Sequence, residues 1–517
     1  MIVEDQSEVV AFLSRPETWG LVDGPVQRNE THASIIFLAG DRAVKLKRAV
    51  RFPYLDYSTP QRRRRFCEAE LEINRRTAPQ VYRSVLPVVR TGSGGLALGG
   101  EGEPVDWVID MARFDEDALF DRLAAAGRLD RFAMESLADA VSWFHGQAES
   151  RPGAGGAAGI REVLDSNRAC FAETAGDILD PADTERLIGA SDAALEAVAP
   201  LLDARRDAGF VRHCHGDLHL RNIVVLDGRA VLFDAIEFDP GFAEIDVLYD
   251  LAFLVMDLQY RGLERLASIV LNRYLDVTGD AGGLPAMPLF LSMRAAIRSH
   301  IDAVAAANQS CADTGRALAE RARQYLRLAL SFLQPVPPRL VAIGGLSGSG
   351  KSRLARELAP LLGGIPGARV VRTDSTRKRL AGVSLATRLA PQDYSAEMGR
   401  RTYQAVYDEA ATALAAGRAV IADAVFADPE ERQAIAHIAA DAGVQFDGIW
   451  LRAAPHLLEQ RVSGRRNNVS DATPEVVRLQ LAFELGHIDW HLLDSSGEGE
   501  ETLQAAVALL GLQPAGE

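Results

Sequence analysis

Gly345-Leu346-Ser347-Gly348-Ser349-Gly350-Lys351-Ser352 satisfies every fixed position of the phosphate-binding pattern G-x-x-x-x-G-K-[ST]. Its flanks agree. Leu340-Val341-Ala342-Ile343 before it is a short apolar run, as a buried parallel strand should be. Leu354, Leu358 and Leu361 after it recur at helical spacing. Strand, glycine loop and helix together supply what a phosphate needs. Glycines let backbone N–H groups wrap the anion, and the helix N-terminus adds its positive end. Gly345, Ser347, Gly348, Ser349 and Gly350 form the candidate cradle. Lys351 is expected to reach the β- and γ-phosphates, and Ser352 to hold Mg²⁺. The expected ligand is a nucleoside triphosphate.

The chain has 517 residues, too many for one hydrophobic core, so two or more domains are expected. Its 48% hydrophobic and 25% charged residues are an ordinary globular balance. A net charge of -15 argues against a general nucleic-acid binder, because phosphate backbones repel acidic surfaces. Four cysteines, Cys67, Cys170, Cys214 and Cys311, lack pairing spacing, so no disulfide framework is expected. The first residues lack a basic run and an apolar core, and no apolar stretch is long enough to span a membrane. A cytoplasmic location is the simplest expectation.

The clearest boundary is Gln334-Pro335-Val336-Pro337-Pro338, where three prolines end a helix and stiffen a connector. Two domains are expected, residues 1–334 and 339–517. Arg151-Pro152-Gly153-Ala154-Gly155-Gly156 reads as a loop within the first. Ser34–Leu38 and Ala43–Lys47 read as strands of a hairpin turning at Ala39–Arg42. A helix follows from about Gln61 to Arg76, then strands at Val85–Val89 and Val105–Ile109, and a mainly helical pattern from Glu116. Strands first and helices later imply a small β-rich lobe followed by a helical lobe.

The decisive segment of the larger part is His215-Gly216-Asp217-Leu218-His219-Leu220-Arg221-Asn222. Asp217 to Asn222 is the D-x-x-x-x-N interval of a kinase catalytic loop, and Val231-Leu232-Phe233-Asp234 then ends an apolar strand on a carboxylate. This segment resembles the aminoglycoside phosphotransferase and choline kinase branch of the protein-kinase-like fold, over roughly residues 30 to 330. The resemblance implies a bilobal α+β domain in which Asp217 accepts the substrate hydroxyl's proton, while Asn222 and Asp234 hold magnesium. Such a site needs a lysine on the third strand and a glutamate on the next helix. Lys45 and Lys47 share one face of their strand; Lys45 is favoured, with Lys47 the alternative. Phe66, Glu70 and Ile73 share a helix face, and a carboxylate among core residues costs free energy unless paired, so Glu70 is the expected partner rather than Glu68 or Glu72.

Two features depart from protein kinases. Asn29–Ser34 stands where a G-x-G-x-x-G loop would, and Asp234-Ala235-Ile236-Glu237 replaces D-F-G. The run Arg62-Arg63-Arg64-Arg65 reads most simply as a solvated face at the start of a helix, with anion binding the alternative. Asp246 and Asp250 resemble the family's post-metal aspartates and read as supports for the catalytic loop. A zinc pair at His215 and His219 would need a helix that Gly216 disfavours, so zinc is not expected.

After the glycine loop, apolar runs ending at Asp374, Asp423 and Arg452 suggest a parallel, doubly wound α/β sheet with polar residues at the strands' carboxyl ends, where ligands gather. Residues 339–517 resemble the small P-loop kinases related to polynucleotide kinase, zeta toxins and gluconate kinase. That resemblance implies that Asp374 activates the acceptor hydroxyl, that Arg377 fixes the substrate, and that Asp423 reaches Mg²⁺ through water. It also implies that Arg461, Arg465 and Arg466 belong to a lid over the phosphates. Asp374 as a plain helix N-cap is the bland alternative. The whole reads as a tandem ATP-dependent kinase acting on hydroxyls of a small metabolite, such as a sugar, aminocyclitol or nucleoside-like compound. A nucleotide-sensing regulator, with one domain acting on a protein or a nucleic-acid end, is the alternative. Binding to nucleic acid is not the favoured expectation, and the sequence leaves the oligomeric state open.

Overall fold

The computed structural model describes residues 3–21, 25–52, 55–174, 176, 178–309, 311–464 and 469–512. By internal contacts the chain divides into two compact units. One is Met1–Gly159 with Asp203–Leu254, the other Ile160–Leu202 with Val255–Glu517. The proline connector at 335–338 therefore lies inside the second unit.

In the first unit, six strands form an antiparallel sheet: β1 (Gln27–Glu30), β2 (Ser34–Ala39), β3 (Arg42–Lys47), β4 (Tyr82–Arg90), β5 (Leu96–Leu98) and β6 (Glu103–Ala112), in the order β1-β2-β3-β6-β4-β5. Between β3 and β4, helix α1 (Pro60–Arg75) starts with Thr59 as N-cap, its side chain accepting from the N–H of Arg62, and with proline at the first position. The apolar alternation of β2 and β3 buries Phe37, Val44 and Leu46 fully. The turn at Gly40 has φ +59, a left-handed value that glycine adopts at little cost. Further along, a hairpin of Ile223–Leu226 with Arg229–Leu232 carries the catalytic-loop segment at its start and Asp234 just past its end.

The arginine run at the start of α1 differs from the expectation. Arg62, Arg64 and Arg65 are exposed, but Arg63 is fully buried. Its Nε donates to Asp106 at 2.7 Å, and its Nη1 to Glu4 at 2.8 Å and to the carbonyl of Tyr57 at 3.1 Å. A buried charge is tolerated only when paired and hydrogen-bonded, and Asp106 on β6 supplies the main counter-charge.

The second unit holds a helical part that includes α2 (Glu264–Thr278), and a five-stranded parallel sheet. Its strands are β7 (Arg339–Gly344), β8 (Arg369–Arg372), β9 (Val420–Asp423), β10 (Gln445–Arg452) and β11 (His491–Asp494), in the order β8-β9-β7-β10-β11. Helix α3 (Lys351–Leu358) follows β7, α4 (Thr373–Leu380) follows β8, and α5 (Ala396–Ala415) comes before β9. The continuous apolar runs of β7 and β9 are buried throughout from Leu340 to Ile343 and from Val420 to Ala422, as a sheet covered on both faces requires. Among the described residues, no helix is long and apolar enough to cross a membrane.

Candidate active sites

The first site is assembled around α1, β3 and the catalytic loop. Glu70 is fully buried on α1, and its two oxygens accept from two lysines of β3: Oε1 from Lys45 at 2.7 Å and Oε2 from Lys47 at 2.6 Å. The lysines then diverge. Lys45 Nζ also reaches Asp234 Oδ1 at 2.6 Å. Lys47 is 1% exposed and also bonds Glu237, with the Tyr57 hydroxyl 3.3 Å away. Burial alone would depress the Lys45 ammonium. Asp234 and Glu70 outweigh it and hold its pKa well above the ordinary value. Glu68 is instead exposed, paired with Arg64 at 2.9 Å.

Asp217 and Asn222 are joined directly. Asn222 Nδ2 donates to both the carbonyl and the Oδ2 of Asp217, each at 2.9 Å. His219 Nε2 stands 3.3 Å from the same Oδ2. The loop is pinned from beneath by Asp250, whose oxygens accept from the N–H groups of His215 at 3.0 Å and Gly216 at 2.9 Å. Gly216 has φ +82, and a Cβ there would meet the carbonyl oxygen of Phe242 at 2.8 Å, so only glycine fits. His215 Nε2 is 2.9 Å from the carbonyl oxygen of Phe233, and burial keeps its ring below the usual histidine range. Asp234 has φ +61, an uncommon value for a non-glycine residue and one that aspartate tolerates better than most. Its N–H donates to the Tyr82 hydroxyl at 3.2 Å, and that of Ala235 to Asn74 Oδ1 at 2.8 Å. The side chain of Asp234 remains 43% exposed, open to a ligand. Lys45, Glu70, Asp217, Asn222 and Asp234 thus belong to one constellation.

Sequence reading did not single out Asn74, Tyr82, Tyr57 and Glu237 here. Asn74 was accessible in principle, since it lies one helical turn beyond Glu70 on the same face. Among the described residues, His145, Cys214 and Asp250 bring possible metal-ligating atoms within 4.8 Å of one another. Asp250 there is already engaged by the two catalytic-loop N–H groups and by His145 Nε2 at 3.1 Å.

The second site lies at the carboxyl end of the parallel sheet. Gly345, Gly348 and Gly350 have φ of +136, +90 and +97. A Cβ on Gly345 would meet the carbonyl oxygen of Leu451 at 2.6 Å, and one on Gly348 that of Leu458 at 2.5 Å. The backbone can wind this tightly against its neighbours only because those side chains are absent. Ser347 and Ser349 are buried in the loop. Lys351 Nζ donates to the carbonyls of Gly345 at 2.7 Å and Leu346 at 3.1 Å, and Ser352 follows it in the first turn of α3. The Ser347 N–H donates to Gln480 Oε1 at 2.7 Å. Asp423 ends β9 in register with Ile343 of β7, beside the loop. It accepts from Arg372 Nε at 3.2 Å.

Asp374 is not the N-cap of α4. Arg372 holds that position without a side-chain cap, and Asp374 lies in the first turn. Arg377, one turn on, stacks over the ring of Tyr394 at 5.0 Å, and its Nε is buried with no hydrogen-bond partner among the described residues. The Tyr394 hydroxyl donates to Asp471 Oδ2 at 3.0 Å, and Asp471 Oδ1 lies 3.2 Å from Lys378 Nζ. Burial, with Asp471 beside it, raises the Tyr394 phenol pKa. Of the three arginines expected in a lid, Arg461 is held by the carbonyls of Ser496 and Gly497, both at 3.2 Å. Arg465 and Arg466 lie outside the described residues.

Residues 56–290 match the phosphotransferase enzyme family, and residues 340–485 match an AAA domain family. Uncharacterized proteins of Mycobacterium tuberculosis and Mycobacterium bovis are 28% identical to this chain over 487 residues, covering 92% of it and 94% of their own length. Among solved structures, a choline/ethanolamine kinase family protein from Mesorhizobium loti is 15% identical, with a TM-score of 0.40, covering 62% of this chain and 94% of its own. A gluconokinase from Sinorhizobium meliloti is 18% identical, with a TM-score of 0.24, covering 34% of this chain and 92% of its own. The chain has a kinase-like phosphotransferase domain followed by a P-loop domain, and the two family matches support a phosphotransferase.

Proposed function

We propose that this protein is a tandem ATP-dependent kinase. Residues 1–334 and 339–517 each supply one phosphoryl-transfer site acting on a hydroxyl of a small metabolite. The observation that carries this reading is the joining of Lys45, Glu70 and Asp234 by ion pairs in the first unit, with Asp217 bonded to Asn222 close by. Phosphoryl transfer asks the protein chiefly to position groups and to neutralise charge, and each residue has a part in that. Lys45, steadied by Glu70, would hold ATP phosphates. Asp217 would take the acceptor's proton. Asn222 and Asp234 offer hard oxygen ligands that suit Mg²⁺, which when bound would neutralise charge on the phosphates.

In the second unit the glycine cradle and Lys351 would hold the triphosphate, and Ser352 and Asp423 the metal. Asp374 would activate an acceptor fixed by Arg377. The acidic chain, at net charge -15, favours a soluble metabolite over a nucleic acid, because a polynucleotide would need a basic channel. ATP and Mg²⁺ are both abundant in the cytoplasm, and that is the compartment this reading assigns.

The test is phosphate transfer by the full chain to a panel of hydroxylated metabolites. EDTA should abolish it, and added magnesium should restore it. Asp217→Asn should remove the activity on one class of acceptor, and full turnover in metal-free buffer would refute the proposal.

A further inference from the structure

Helix α2 falls inside the stretch that matches the phosphotransferase family, yet its polar face is bound to the strand that leads to Asp374 and to the helix that carries it. Asn272 and Asp276 stand four residues apart and so project from one side of α2. β8 is an edge strand, and an edge leaves a row of backbone groups without strand partners. The Asn272 amide meets part of that row. Its Oδ1 accepts from the Val370 N–H at 2.7 Å, and its Nδ2 donates to the carbonyl of Ala368 at 3.1 Å.

Asp276, 6% exposed, divides its two oxygens. Oδ1 accepts from Arg369 Nη2 at 2.7 Å, and Oδ2 from the Ser375 hydroxyl at 2.9 Å. Ser375 is the residue after Asp374 in the first turn of α4. Glu409 on α5 completes the cluster, accepting from Arg369 Nε at 2.9 Å and pairing with Arg379. Arg379 Nη1 donates back to the carbonyls of Leu275 at 3.3 Å and Asp276 at 3.4 Å. Two arginines and two carboxylates balance, which makes their burial tolerable.

We propose that Asn272 and Asp276 are positioning residues of the P-loop site: α2 holds β8 and the first turn of α4 so that Asp374 faces the acceptor. The P-loop activity then depends on a helix that begins well before the proline connector. This inference rests on the reading of Asp374 given above.

The test uses the full chain carrying Asp217→Asn, so that the first site is silent. ATP turnover is followed with magnesium and with water as the acceptor. Asp276→Asn should lower kcat on the order of tenfold or more, since small displacements of reacting groups are this costly, while KM for ATP stays within about twofold. Ser375→Ala removes only the bond from the Asp276 side chain to α4 and leaves the Arg369 and Arg379 contacts intact, so it should lower kcat in the same sense with an unchanged melting temperature. An unaltered kcat in both variants overturns the proposal. So does a parallel loss of ATP binding, turnover and melting temperature, which would mark plain structural support. Asp374→Asn in the same background separates the two readings. If it leaves kcat intact, the acceptor-base reading fails. If it abolishes turnover while both other variants do not, only the role of α2 fails.

Discussion

Lys45 and Lys47 sit two residues apart, share Glu70, and have different second partners. Lys45 reaches Asp234, whose carboxylate is the more exposed, whereas Lys47 is sealed against Glu237 and Tyr57. Lys45→Met should therefore fold and lose turnover at the first site, while Lys47→Met should lose stability. Breaking a buried ion pair by removing one member costs about 3–5 kcal/mol, because the remaining charge is left uncompensated. Thermal unfolding and ATP turnover measured on both variants give opposite orders of severity if this division holds, and the same order if it does not. The histidines around the catalytic loop carry a pH signature. Burial depresses His215, and burial with Arg76 and Arg151 depresses His213 to about 4. The unfolded chain then binds protons that the folded chain refuses, so stability rises with pH. It is fully present above the ordinary histidine value of 6.5 and falls as pH drops from there toward about 4. A melting temperature that is flat or rises on acidification through that window contradicts the assignment.

At the scale of elements, α1 is fastened to the sheet by charge as well as by apolar contact. Arg63, Cys67, Glu70 and Asn74 form one buried face, and three of the four are polar. Arg63→Ala would strand Asp106, whose carboxyl burial already pushes upward against Arg63. The expected loss is about 3–5 kcal/mol, against a change within about 0.5 kcal/mol for Arg64→Ala on the exposed face. Chemical denaturation of the two variants measures both, and equal losses would show that the burial of Arg63 contributes nothing. The same helix marks where sequence reading succeeds and where it stops. Glu70 was legible because its neighbours Phe66 and Ile73 set a helical period that a carboxylate interrupts. The glycine loop and the His215–Asn222 loop were legible as candidate sites because their patterns are confined to a few consecutive residues. Arg63 was not, since a run of four arginines has no internal period and its partner Asp106 lies 43 positions away. Arg369 and Asp276 are 93 positions apart and left no local trace either. Charge pairs made by tertiary contact are invisible to periodicity. The proline run at 335–338 signalled a break in secondary structure, which is a local property, and could not report that α2 packs on the strand beyond it.

At the scale of the whole molecule, the two sites proposed to bind phosphate are built by different means. In the first unit, buried ion pairs on a sheet and a helix position Lys45 and Asp234. In the second, backbone N–H groups and a helix N-terminus would do the corresponding work under the proposed reading. No residue of either constellation belongs to the other, so chemical loss at one site should leave the other intact. Lys351→Ala in the full chain should remove the transfer that depends on Asp374 and spare the transfer that depends on Asp217. Asp217→Asn should do the reverse, and the double variant should be inert to all acceptors. The comparison has to be made in the full chain, because cutting at the proline connector would free β8 from Asn272 and Asp276 and weaken the second site for a separate reason. Acceptor profiles of the four proteins, measured side by side with saturating ATP and magnesium, decide the matter. Two non-overlapping sets of lost products are expected. Loss of every product in either single variant would mean that the two sites work as one.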